Sequence, residues 1–240
     1  MKYNIQTTSD HSYFNFLKIF VNSILTNCNL EHLNKIYIIN TGMTDDEVIY
    51  LTERSNHIEI IETGLKTNFK GGTWGEDWQL NVKGKTHYLY ELVSKIEEPL
   101  LMLDSDMMIV KDLYPLTQFG GDLQVCVRPG NSVKYIGSYF FSMNPSKSLP
   151  FIEEWRNLTQ TSEGKAAHES PALTKTVEKY KSELNIIELE QDIVNRISYP
   201  LLDKTIIVHF KGTKLSDNIE ESMQSRIINR GWKPEILKYV

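Results

Sequence analysis

The sequence predicts an α/β fold in which a mostly parallel sheet is flanked by helices. Short apolar runs, typical of buried strands, alternate along the chain with segments whose apolar residues recur at helical spacing. The 240 residues, of which 40% are hydrophobic, can bury a substantial core. No internal repeat, low-complexity tract or linker is evident. We therefore expect one domain over residues 1–240.

The first third of the chain shows this alternation most clearly. Residues 3–8, 36–40 and 58–61 are predicted strands. A helix is predicted between the first two, with its apolar face running from Phe14 to Leu25. A second helix should begin after Thr44, because Thr44 and Glu47 have the spacing of a capping box. Such an order is typical of parallel strands with helices on both faces.

Residues 66–84 fit neither the strand nor the helix period. Four glycines are interleaved there with Phe69, Trp74 and Trp78. Long loops of this kind are often binding loops or lids. We expect a mobile loop that closes over a bound ligand, with a static flap held by two buried tryptophans as an equal alternative. The helical period returns at Lys85.

The second half of the chain repeats both patterns. Residues 123–128, 135–143 and 206–210 are predicted strands. Helices are predicted to begin at Ser148-Leu149-Pro150 and at Ser170-Pro171. A terminal helix is predicted over residues 216–229, with Gly231 as its C-cap.

Two carboxylates one residue apart, Asp104 and Asp106, interrupt a long apolar run. We interpret residues 100–110 as a strand buried on both faces. In open α/β sheets, ligands bind beyond the carboxyl ends of the strands. Paired hard oxygen donors there suit Mg²⁺ or Mn²⁺, which usually also bind substrate phosphates. The alternative is a strand-end turn in which both side chains cap local amides.

His209 lies at the end of the apolar run 206–208. Strand ends at one edge of a sheet can bring it near Asp104 and Asp106, and two carboxylates with one imidazole suit Mn²⁺. The basic residues Lys211 and Lys214 follow, with Gly212 between them, where backbone can approach a phosphate closely. The alternative for His209 is a core histidine bonded to a neighbouring carbonyl.

Composition and charge exclude several classes of protein. The net charge of −5, with no basic cluster among aromatics, argues against nucleic acid as a partner. Cys28 and Cys126 lie in apolar segments without metal-ligand spacing, so we expect core residues. The N-terminus is too polar for a signal peptide, and no apolar run approaches the ~20 residues of a membrane span. We expect a soluble, cytoplasmic protein without a transmembrane segment.

Three segments together resemble a known family. Leu103-Asp104-Ser105-Asp106, the following Leu113-Tyr114-Pro115-Leu116, and His209-Phe210-Lys211-Gly212 are similar to motifs of GT-A fold glycosyltransferases. The likeness is greatest to the retaining nucleotide-sugar enzymes of glycosyltransferase family 8. It implies one GT-A-like domain, with a nucleotide-sugar-binding half at 1–110 and an acceptor half with the C-terminal motif at 111–240.

The resemblance also implies an activity and the partners it needs. The chain would be a metal-dependent hexosyltransferase that uses Mn²⁺ or Mg²⁺. It would take a sugar from a nucleotide diphosphate donor, a UDP-sugar, and pass it to a glycan, lipid or protein acceptor. Configuration at the anomeric carbon would be retained.

Site residues follow from the resemblance position by position. Asp104, Asp106 and His209 would bind the metal. Glu169 would be the catalytic candidate near the sugar, although it can also be read as a first-turn helix acid with a dipole role. Lys85 would meet the donor, although a solvated helix end is an equal interpretation. The other donor-binding candidates are Thr7, Thr8, Ser9, Tyr13, Asp104, Ser105, Lys211, Gly212 and Lys214.

Two departures from the family pattern stand out. Ile136-Gly137-Ser138 replaces the usual Asn-Ala-Gly, and Lys214-Leu215-Ser216 replaces Lys-Pro-Trp. Two rival functions remain open. A haloacid-dehalogenase-like phosphatase also carries Asp-X-Asp after an apolar strand, but near its N-terminus and followed by Gly-Thr or a close equivalent. A catalytically silent module that binds sugar nucleotides or glycans is the other rival.

Overall fold

The computed structural model describes residues 1–67, 76–162, 168–198, 200–210 and 239. It confirms the predicted fold class, a mostly parallel sheet flanked by helices. The strands are β1 (Tyr3–Ser9), β2 (Leu33–Asn40), β3 (Ile58–Glu62), β4 (Leu100–Leu103), β5 (Met107–Ile109), β6 (Leu123–Val127), β7 (Tyr135–Ser142), β8 (Ile186–Glu190) and β9 (Ile207–His209). The helices are α1 (Phe14–Asn27), α2 (Asp45–Thr52), α3 (Glu76–Val93), α4 (Pro145–Thr161), α5 (Glu169–Tyr180) and α6 (Gln191–Val194), with 3-10 turns at His11–Tyr13 and Tyr114–Phe119.

The seven-stranded sheet has the order β3-β2-β1-β4-β7-β6-β8. The first four of these strands are mutually parallel, whereas β7 runs antiparallel to both β4 and β6, and β8 is parallel to β6. Strand β4 therefore lies in the centre, between β1 and β7. All four of its residues are buried, as expected for a central strand covered on both faces.

Each face of the sheet carries its own apolar cluster. On one face, residues of α1 and α2 pack against β1, β2 and β4. On the other, α3, α4 and α5 supply residues such as Trp155, which packs on Phe140 at 5.2 Å between ring centroids. Burial of aromatic rings on this scale is a large part of core stability. The two clusters fix β4, and with it the start of the Asp104–Asp106 segment.

The predicted continuous strand over residues 100–110 is wrong. The chain leaves the main sheet at Asp104, turns, and forms β5, which pairs antiparallel with β9 in a separate two-stranded sheet. Strand β9 therefore does not end at the edge of the main sheet, as the sequence had suggested for His209. Both apolar runs are fully buried, so hydrophobicity alone could not distinguish one strand from two.

The predicted loop over residues 66–84 is wrong from residue 76 onward. Helix α3 begins at Glu76, nine residues before the predicted start at Lys85. Acidic Glu76 and Asp77 suit its first turn, where they interact favourably with the helix dipole. Trp78 is partly buried in this helix and packs edge-to-face on His168. Residues 68–75, including Trp74, are not described, so a lid there stays a prediction.

Other boundaries also shift. Helix α4 begins at Pro145 rather than Ser148, because the Asn144 side chain accepts a hydrogen bond from the Lys147 amide and caps the helix. Strand β8 was not predicted, since its half-exposed residues lack a long apolar run. The predicted helix over 216–229 and its cap at Gly231 fall in a part of the chain that is not described. Among the described residues, no helix has both the length and the apolar character that crossing a bilayer requires.

The capping box at α2 is confirmed and gives a stability prediction. The Glu47 amide donates to Thr44 Oγ1 at 3.3 Å, and the Thr44 amide donates to Glu47 Oε2 at 2.8 Å. Thr44→Ala should lower the free energy of unfolding by about 0.5–2 kcal/mol, since it leaves a first-turn amide without its partner. Thr44→Ser keeps the hydroxyl and should retain most of the stability. Urea denaturation of both variants tests this, and equal losses would assign Thr44 a different role.

Candidate functional site

Asp104, Asp106 and His209 lie together at the turn between β4 and β5. One potential ligand atom from each residue lies within 4.8 Å of the others. The Nε2 atom of His209 is 3.1 Å from Asp106 Oδ1 and 3.8 Å from Asp104 Oδ2. Two carboxylates with one imidazole form a ligand set that suits Mn²⁺ or Mg²⁺. The sequence prediction that these three side chains meet is confirmed in position, although a different pairing brings them together.

The register of the small sheet explains the meeting. Met107 of β5 is paired with His209 of β9, and the Phe210 amide donates to the carbonyl of Asp106 at 2.9 Å. These contacts place His209 beside the residue that precedes β5. On the other side of the turn, the Asp104 amide donates to the Ser138 carbonyl at 3.2 Å, which ties the turn to β7. Backbone pairing thus positions all three candidate ligands.

The ammonium of Lys85 forms a second part of the site. Its Nζ donates to Asp104 Oδ1 at 2.7 Å, to Glu169 Oε1 at 3.0 Å and to the Gly137 carbonyl at 3.1 Å. Lys85 lies within α3 and is buried, so the interpretation as a solvated helix end is wrong. A lysine satisfied by three acceptors fixes the relative positions of β4, β7 and α5.

Glu169 is likewise more than a helix-terminal acid. Its side chain is buried at the first residue of α5 and binds Lys85, while its Oε2 atom has no hydrogen-bond partner within the described residues. A Cβ atom placed on Gly137 would lie 2.1 Å from Glu169 Cγ. The glycine at this departure from the family pattern therefore makes room for the Glu169 side chain.

The described side chains leave this site with an excess of negative charge. Three carboxylates, those of Asp104, Asp106 and Glu169, face one ammonium and a histidine. Burial raises the pKa of Asp104, and the neighbouring carboxylates add to this, although Lys85 and His209 act in the opposite direction. Carboxylates crowded together in a site largely shielded from solvent favour a bound cation. The donor atoms and their charge thus both fit a divalent metal ion.

Lys85 keeps its own charge and that of Glu169. Burial alone would lower the pKa of Lys85, but Asp104 and Glu169 outweigh it and raise the pKa above its ordinary value. Burial would raise the pKa of Glu169, but the adjacent Lys85 ammonium lowers it instead. Opposite charges in hydrogen-bond contact favour the charged forms of both partners. The charged form of Glu169 is therefore favoured, and Lys85 holds its Oε1 atom.

The candidates for the nucleoside pocket lie at the end of β1, next to β4. Gln6 is paired with Met102, so Thr8 lies at the level of Asp104 two residues further along. The hydroxyl groups of Thr7 and Thr8 are buried, and neither finds a partner in the described part of the chain. Unsatisfied buried hydroxyls at a sheet edge are available to a ligand. Ser9 is also buried, while Tyr13 packs on Phe16 in the following turn.

Sequence reasoning missed two buried residues at this edge. Asp10 accepts hydrogen bonds from Ser12 and from Thr67, so it caps the 3-10 turn and ties it to the segment after β3. The Asp10 side chain also accepts a hydrogen bond from the Tyr13 amide, three residues later. An aspartate at this spacing before a helix was the available N-cap signal in the sequence. Asn195 lies against His209, with its Oδ1 atom 2.6 Å from Nδ1 of the ring. No sequence pattern pointed to it.

The remaining candidates have separate outcomes. Ser105 lies buried in the turn between the two aspartates. Lys211, Gly212 and Lys214 belong to the stretch 211–238, which the structure does not describe. Their proposed contacts with a diphosphate therefore stay predictions from the sequence.

Comparisons with known proteins bear on the fold. No family model and no curated protein matches the chain. The solved structure of the WbbM bifunctional glycosyltransferase in its apo form is similar, with a TM-score of 0.64 at 10% identity over 99% of this chain and 51% of that one. The apo-form glycosyltransferase GlyE of Streptococcus pneumoniae TIGR4 gives 0.61 at 17% identity, over 100% and 63%. The chain thus has a glycosyltransferase-type fold and spans about half to two thirds of these proteins.

The buried lysine generates a stability prediction. Lys85→Met should lower the free energy of unfolding at neutral pH by about 3–5 kcal/mol, since it leaves the buried carboxylate of Glu169 and the partly buried carboxylate of Asp104 without their cation. Adding Glu169→Gln should recover part of that loss, because one of the two carboxylates is then neutral. Urea denaturation of the metal-free single and double variants gives the coupling energy directly.

The same pair of variants predicts a pH dependence. In Lys85→Met, burial without the ammonium raises the folded-state pKa of the carboxylates above its unfolded value. The folded state then binds protons more readily, so the loss of stability should shrink at mildly acidic pH. A loss that stays constant with pH, or an additive double variant, would contradict the ion-pair account.

Proposed function

We propose that this protein is a metal-dependent glycosyltransferase. It transfers a sugar, a hexose by resemblance, from a nucleoside diphosphate donor, UDP-sugar, to a glycan, lipid or protein acceptor, with retention of configuration. The observation that carries the proposal is the ligand set Asp104, Asp106 and His209, largely shielded from solvent at the switch from the main sheet to the small sheet. Ligands bind at such edges in α/β folds, and this fold resembles solved glycosyltransferases.

The chemistry needs positive charge at the leaving group. Breaking the anomeric C–O bond places negative charge on the oxygen of the departing nucleoside diphosphate. Asp104, Asp106 and His209 would hold a divalent metal, which would supply Lewis acidity there. Thr7, Thr8 and Ser9 bind the nucleoside, and Tyr13 contacts the base. Lys211 and Gly212, with Lys214, hold the diphosphate by charge-assisted and backbone hydrogen bonds.

Lys85 and Glu169 act on the sugar side of the site. Lys85 links Glu169 to Asp104, so the carboxylate has a fixed position relative to the metal ligands. Its buried Oε2 atom, which has no hydrogen-bond partner among the described residues, accepts a hydrogen bond from a sugar hydroxyl or stabilises positive charge at the anomeric centre. This is the role we propose for Glu169 as catalytic residue. We assign the activity to the cytoplasm.

The first test removes one ligand. Asp106→Ala should abolish Mn²⁺-dependent binding of UDP, because a two-ligand site holds the cation poorly. Isothermal titration with UDP, with and without Mn²⁺, measures the effect. Asp46→Ala serves as control for the loss of a carboxylate, since Asp46 is exposed on α2 and is not one of the three candidate ligands. Undiminished metal-dependent affinity in a folded Asp106→Ala protein would overturn the proposal.

A second test concerns the diphosphate. Lys211→Ala should weaken binding of UDP far more than binding of uridine, which has no phosphate. A charge-assisted hydrogen bond contributes about 1.5–3 kcal/mol, so we expect a loss of roughly ten- to a hundredfold for UDP. Equal losses for both ligands would instead assign Lys211 to the folded structure.

Hydrolysis separates the proposal from its rivals. A glycosyltransferase should release sugar slowly from UDP-sugar in the presence of Mn²⁺ without acceptor, and faster with one. A silent binding module would bind the donor and release nothing. A phosphatase would instead release inorganic phosphate from a phosphomonoester, which a parallel assay with that substrate measures.

A further inference from the structure

We propose that Asn195 is a positioning residue that directs the imidazole of His209 toward a divalent cation. It would hold the ring hydrogen on Nδ1, so that Nε2 presents its lone pair beside Asp104 and Asp106. The inference rests on the proposed function, since it concerns the same metal site. It assigns a role to a residue that contacts neither the cation nor the donor.

The position of Asn195 is set by the backbone. It follows α6, and its own amide donates to the Gln191 carbonyl at 2.9 Å. The next residue, Arg196, forms two backbone hydrogen bonds with β9. Its amide donates to the Ile207 carbonyl at 3.0 Å, and its carbonyl accepts from the His209 amide at 2.9 Å. The segment therefore lies along β9 on the side opposite β5. Asn195 is fully buried there, so its side chain has no contact with bulk solvent.

The hydrogen-bond chemistry of the two side chains gives the direction. An amide oxygen can only accept, so Oδ1 at 2.6 Å from Nδ1 requires a hydrogen on Nδ1. A neutral imidazole has one N–H, which leaves Nε2 with a lone pair. That lone pair faces carboxylate oxygens at 3.1 and 3.8 Å. A divalent cation bound between these atoms would take that lone pair and the two carboxylates as its ligands.

Histidine ligands of metals usually donate their other N–H to an oxygen acceptor, which fixes the ring and raises its basicity. Asn195 meets that description in geometry and burial. The reverse amide orientation would place a donor against Nδ1, move the ring hydrogen to Nε2 and close the site to a metal. The orientation that keeps the site open leaves Asn195 Nδ2 without a hydrogen-bond partner in the described ranges.

A purely structural role makes a different prediction about substitutions. Asn195→Ala removes the acceptor. Asn195→Asp keeps an acceptor of the same shape and cannot donate to Nδ1. If Asn195 only fills space, Asp should be as harmful as Ala or worse, since it buries a charge. If Asn195 positions His209, Asp should rescue metal binding.

The chain offers a matched control. Asn4 is also fully buried, and its Oδ1 accepts from the Asn34 side chain at 3.0 Å and from the Lys35 amide at 3.2 Å. Its Nδ2, like that of Asn195, has no partner in the described part of the chain. It lies at the start of β1, whereas the candidate site lies at the other end of that strand. Asn4→Ala therefore repeats the loss of a buried amide without touching His209.

The experiment measures Mn²⁺ affinity of the purified full-length protein by electron paramagnetic resonance of free Mn²⁺, without UDP and at saturating UDP. Asn195→Ala should bind Mn²⁺ about ten- to a hundredfold more weakly than wild type. Asn195→Asp should bind at least as tightly as wild type, and Asn4→Ala should match wild type. Wild-type affinity in Asn195→Ala, or equal weakness in the Asp and Ala variants, would overturn the inference alone.

Two further outcomes keep the test decisive. If wild type binds no Mn²⁺ under either condition, the proposed metal-dependent function fails and the inference fails with it. If Asn195→Ala does not fold, the position of the His209 ring hydrogen can be measured in the wild-type protein instead. Long-range ¹H–¹⁵N spectra of the diamagnetic Mg²⁺-loaded protein, assigned with His209→Gln, should show the His209 hydrogen on Nδ1. A hydrogen on Nε2 would overturn the inference.

Discussion

The buried ammonium of Lys85 is the interaction on which the candidate site depends. It joins the end of β4, the β7 backbone and the first turn of α5, three elements that are distant in sequence. It also keeps Glu169 ionised in a place where burial alone would favour the neutral acid. Gly137 permits this contact, because any side chain there would displace Glu169. The Lys85 ammonium thus sets both the packing and the charge of this edge of the sheet.

The turn after β4 accounts for the other half of the site. A strand that continued straight would carry Asp106 along the main sheet and away from β9. Because the chain turns at Asp104 and pairs in a second sheet, the Met107–His209 register brings Asp106 and His209 together. The candidate metal ligands therefore lie where the two sheets meet, and backbone hydrogen bonds fix the spacing between Asp106 and His209. Rigid support of this kind is what a preorganised site requires.

Local sequence patterns predicted what depends on local chemistry. The apolar runs located the strands of the main sheet except β8, the Thr44–Glu47 spacing located the start of α2, and the Asp104–Asp106 pair indicated a site with His209. The early start of α3 was missed because its first residues are polar and show no apolar face. The break between β4 and β5 was missed because both strands are fully buried, so the run resembles one continuous strand. Contacts such as Lys85 with Glu169, or Asn195 with His209, depend on tertiary pairing that no spacing rule encodes. One fold supports many functions, so these contacts carry more functional information than the fold does.

The two oxygens of Asp104 have different partners, and this division matters for how the site would work. Oδ1 accepts from Lys85, whereas Oδ2 is the oxygen nearer to His209. A cation bound among Asp104, Asp106 and His209 would therefore not compete with Lys85 for the same lone pairs. The Lys85–Glu169 pair would keep its geometry whether or not metal and donor are bound. Charged groups fixed before the substrate arrives need no reorganisation during reaction, which is the main source of electrostatic stabilisation of a transition state.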